Sequence, residues 1–136
     1  MPERAANLRS DLILKAMIAV AWADGGLEDS EVRLMQQVYQ DQAERPITPE
    51  EISRVAEASS RDGIIAELTA AAPMLNRETK EEIIRAAYLT LLADGRIAAE
   101  ERKKLKDIAM ALRVPEIHFG AILEDLALWL EEQKAK

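Results

Sequence analysis

The chain has 136 residues, enough for one ordinary domain around a single core. It is 49% hydrophobic but only 4% aromatic, a balance that favours close-packed helices over a sheet rich in branched and aromatic residues. A net charge of −7 repels polyphosphate and argues against nucleic acid as a partner, and the lack of cysteine excludes disulfides, thiolate metal sites and a cysteine nucleophile.

The opening "MPERAANLRSD" is charged and lacks the apolar stretch of a secretory signal. No later segment approaches the roughly 18 uncharged apolar residues of a membrane span. A cytoplasmic protein without membrane insertion is therefore expected.

Leu12, Ile13, Ala16, Met17, Val20 and Ala23 recur at helical steps and predict a first helix over about 8–23, with Gly25 as its left-handed stop. A second helix begins near Asp29, turns Val32, Met35, Val38 and Tyr39 inward and finishes before Pro46. "TPEE" at 48–51 starts a third: Thr48 caps, Pro49 fits the first helical position and Glu51 reaches back to complete a capping box. A short alanine-rich fourth spans about 64–72 before Pro73. Both read as connectors between larger units.

Asn76 caps a long fifth helix carrying Ile83, Ile84, Ala87, Tyr88, Leu91 and Leu92. The sixth faces Leu105, Ile108, Ala109 and Leu112 inward, and the seventh opens at Pro115 and buries Phe119, Ile122, Leu123, Leu126 and Leu130. About seven helices result, and the class is all-α.

The triplet Ala-Asp-Gly occurs twice, in "AWADGG" at 21–26 and "LLADGR" at 91–96, with its aspartates 94 − 24 = 70 positions apart. The offset persists: Glu31 meets Glu101, Lys15 meets Arg85, Ala16 meets Ala86, Met35 meets Leu105 and Val38 meets Ile108. Halves of about 8–44 and 76–112 are thus two copies of one helical hairpin, expected to pack as a pseudo-symmetric four-helix core within a single domain.

The segments "AVAWADGGLEDSEVRLMQQV" at 19–38 and "LTLLADGRIAAEERKKLKDIAMAL" at 89–112 resemble the tellurite-resistance TerB family and TerB-like domains. The resemblance covers about residues 8–130. It implies an all-helical cytoplasmic protein of tellurite and other stress responses, working beside membrane-associated and metal-binding partners. It also implies a divalent cation on the acidic residues and no enzymatic activity. Glu28 and Ala98 depart from the family's habit of a small polar cap before the second helix of each hairpin.

Asp24, Glu31, Asp94 and Glu101 are the candidate metal ligands. Within each half the Glu follows the Asp at equal spacing across a tight turn, so a pseudo-twofold axis near the turns brings four carboxylates together, and they need a counter-charge. Oxygen-only ligation suits calcium, magnesium or manganese before zinc. Local roles fit the same residues: Asp24 and Asp94 as turn acceptors, Glu31 and Glu101 as first-turn carboxylates favoured by the helix dipole. On that reading the chain is a purely protein-binding helical adaptor with structural turns and no ion.

No HExxH, GxSxG or Walker pattern is present, and the single histidine, His118, reads as a partly exposed packing residue, so an enzyme is not expected. Arg102, Lys103 and Lys106 read as a solvated basic face, with Glu100 and Lys104 as an intrahelical pair. Trp22 and Trp129 read as core or core-edge residues.

Overall fold

The computed structural model describes residues 2–21, 27–94 and 99–134, and the side chains of all of these except 2–6, 61, 93 and 94. Among the described residues there are seven α-helices and no strand: α1 Pro2–Ala21, α2 Asp29–Ala43, α3 Pro49–Ala58, α4 Arg61–Ala71, α5 Arg77–Thr90, α6 Ala99–Ala111 and α7 Glu116–Lys134. Short 3₁₀ turns follow α4 (Ala72–Met74) and α5 (Leu91–Asp94). No helix among the described residues is long and apolar enough to cross a membrane.

Helix starts follow local chemistry. Thr48 Oγ1 accepts from the Glu51 N–H at 3.1 Å, and Asn76 Oδ1 from the Thr79 N–H at 2.8 Å, each cap worth about 1 kcal/mol. The expected return bond from Glu51 to the Thr48 backbone is replaced by a contact from the Thr48 hydroxyl to Glu51 Oε1 at 3.3 Å. α4 starts three residues earlier than the apolar pattern suggests, because Ser60 Oγ accepts from the Gly63 N–H at 3.0 Å. A Cβ at 63 would lie 2.8 Å from that hydroxyl oxygen, so glycine admits the cap. α1 also starts earlier, at Pro2.

α1 and α5 pack most extensively against each other, and each of α2 and α6 touches both. This is the expected four-helix core, and burial follows the repeat. Ile13 and Ile83, Ala16 and Ala86, Met17 and Ala87, Met35 and Leu105, and Val38 and Ile108 are all buried.

The direction of packing follows from three contacts. Arg9, in the first half of α1, binds both the Gln42 carbonyl at the end of α2 and the Glu82 carboxylate in the first half of α5, its Nε donating to Glu82 Oε2 at 2.7 Å. Further along, Val38 of α2 lines a cleft with Arg85 and Leu89 of α5. The turn Leu91–Asp94 after α5 then packs on α2. α2 is therefore antiparallel to both α1 and α5, and α1 and α5 run in the same direction.

The repeat reaches further than two helices per half. α3 folds back on α1 and α2 as α7 folds back on α5 and α6. The same offset relates Ile52 to Ile122 and Ala56 to Leu126, all four buried. This corrects the connector reading of α3 and α4: Ile52, Ile64 and Leu68 are fully buried, and α4 packs against both α1 and α6. Short helices read as linkers because they carry few apolar residues, yet each places those residues on one face against the core.

Candidate ion site at the paired helix starts

Because α1 and α5 are parallel, the ends of both and the starts of both partner helices lie at one end of the bundle. Glu31 stands in the first turn of α2 and Glu101 in the first turn of α6, and the Leu91–Asp94 turn packs on α2 at that same end. Asp24 lies outside the described residues, as does the side chain of Asp94. The positions expected for Gly25, Gly95 and Trp22 also fall there.

Glu31 is 2% exposed and Glu101 5% exposed, whereas Glu28, Asp29 and Glu100 beside them face solvent. Burial of a carboxylate is expensive unless its oxygens find donors or a cation. Glu31 Oε1 accepts from the Glu28 backbone N–H at 3.0 Å, which closes the start of α2 from within. The dipole at each helix start favours the negative charge further. Both glutamates have polar partners, and no buried side-chain nitrogen or oxygen among the described residues lacks one.

Among the described residues no group of three or more His, Asp or Glu gathers as a cation cage. That set omits Asp24 and the Asp94 side chain. The groups that could hold an ion here are the carboxylate oxygens of two first turns, hard oxygen donors that suit calcium, magnesium or manganese better than a soft ion.

Other expectations for single residues change. His118 is a polar link between α7 and α5: its Nε2 lies 2.9 Å from Glu81 Oε1, and the Arg77 guanidinium lies within 3.3 Å of its ring. Lys104 pairs with Asp107, three residues on, at 3.7 Å in place of Glu100. Trp129 is 46% exposed at the edge of the cleft shared with Val38, Arg85 and Leu89, outside the core. Sequence reasoning missed Arg9 altogether. Its signal was only one of two arginines in the charged first half of α1, and its importance comes from two helices that meet it from distant positions.

Comparison with protein-family models, with curated proteins and with solved structures finds no match to this chain.

Proposed function

We propose that the chain is a small acidic TerB-like stress-response protein of the cytoplasm, without catalytic activity, that takes a divalent cation at Asp24, Glu31, Asp94 and Glu101 and works beside membrane-associated protein partners. The observation that supports the ion is the pair of buried glutamates: Glu31 and Glu101 stand at equivalent places in the two repeats, at one end of the bundle, with the Asp94 turn packed on α2. Their burial sets these two apart from the exposed Glu28, Asp29 and Glu100 beside them, and with Asp24 and Asp94 the four supply an oxygen-only set. Calcium, magnesium and manganese suit an all-oxygen set before zinc.

A calorimetric and thermal titration of the wild type against Asp24→Asn combined with Asp94→Asn tests this. At 100 times Kd an ion stabilises the wild type by about 2.7 kcal/mol, with heat of binding, and the double variant shows neither. Equal responses in the two proteins, or none in either, reject the ion.

The Glu28 N–H bond to Glu31 favours a second reading, since it gives that carboxylate a local purpose. On it the turns are structural and the chain is a protein-binding helical adaptor. Glu31→Gln separates the two: as a cap alone, glutamine keeps an acceptor oxygen and most of the stability, while an ion site loses a ligand charge and its affinity.

A further inference from the structure

α6 and α7 form an antiparallel pair whose outer side is open among the described residues. Two adjoining hollows of about 680 and 320 Å³ share Lys106, Glu116 and Phe119 and make one groove between the helices. Its floor is carbon: Phe119, Leu123 and Met110, the last 64% exposed. Its rim on the α6 side is basic. Arg102 and Lys103 have no carboxylate partner among the described residues, while Lys106 binds Glu116 across the groove at 3.0 Å. Among the described residues, an acidic chain thus keeps positive charge without a carboxylate partner beside an apolar trough.

Gly120 is the second observation. It sits inside α7 and lines the groove, and a Cβ built on it meets nothing within 4 Å. Neither internal packing nor a turn calls for glycine here, and glycine weakens a helix interior relative to alanine. A bare backbone at the floor of an open groove allows another chain to approach closely.

We propose that this groove docks an acidic amphipathic helix of a partner protein. Its apolar stripe, at helical spacing, lies over Phe119, Gly120 and Leu123, and its Glu and Asp residues face Arg102 and Lys103. Charge opposition sets the choice of partner, and the glycine sets the depth of approach. The proposal does not depend on an ion at the helix starts, which belong to the other function of the fold.

The test uses the full chain and two fluorescent synthetic helical peptides of one leucine pattern, one with glutamate on its polar positions and one with lysine, followed by anisotropy. The acidic peptide binds at least tenfold more tightly than the basic one, and salt weakens it. Gly120→Leu weakens the acidic peptide at least tenfold while leaving the melting temperature unchanged or higher, because the new side chain fills the groove and improves the helix. If Leu disturbs the fold by circular dichroism, Gly120→Ala, which raises the melting temperature yet weakens binding, carries the same test. Arg102→Glu combined with Lys103→Glu reverses the preference between peptides. Equal binding of the two peptides, or wild-type binding by the Gly120 variants, overturns the proposal. So does sedimentation showing a dimer of this chain that Gly120→Leu dissociates, since the occupant is then a second copy.

Discussion

Leu68 decides whether α4 is part of the core. It is fully buried, on a helix that packs against both α1 and α6. Leu68→Ala removes most of a buried side chain and leaves a cavity, and such changes cost about 2–5 kcal/mol, with about 3 expected where helices on two sides hold the walls apart. Unfolding entropy near 2.1 cal/mol/K per residue gives about 290 cal/mol/K for 136 residues, so 3 kcal/mol lowers Tm by about 10 °C. Urea melts of the variant read the same quantity as a lower midpoint at constant slope. Thr69→Ala, one residue away and exposed, is the control, and a change within about 0.5 kcal/mol is expected there. If Leu68→Ala costs less than about 1 kcal/mol, α4 is a connector after all and does not belong to the core.

Glu44 ends α2 in the left-handed region at φ 60° and is exposed, so Glu44→Gly relieves a strained backbone and is expected to raise stability by about 0.5–1 kcal/mol. A lower Tm in that variant shows that the glutamate side chain matters more than the backbone. Burial opposes the charge on Lys15, but Glu67 at 2.9 Å and Asp11 at 3.0 Å outweigh it and raise its pKa above 10.5. Its charge therefore stabilises the fold below that pH, and this contribution is lost as pH rises through the raised value. Stability curves from neutral pH into the alkaline range should show this loss in the wild type and a smaller one in Lys15→Met. Identical pH dependence in the two proteins would remove the basis for the assignment.

The sequence by itself determined the class, the number of helices and most of their ends. Those depend on residues three and four apart and on single caps such as Thr48 and Asn76, which act within one turn. It also carried the repeat, and the equal offset of Ile52 from Ile122 and Ala56 from Leu126 was legible there although the short α3 concealed it. Only the tertiary structure decided that α1 and α5 run in the same direction, and so that Glu31, Glu101 and the Asp94 turn share one end of the bundle. Periodicity shows which face of a helix is apolar but not which distant face it meets or in which direction. Here Arg9 records that choice, between Gln42 on one helix and Glu82 on another. The open groove was out of reach for the same reason: Gly120 is an unremarked residue in a helical pattern until α6 lies beside it and leaves the space above it empty.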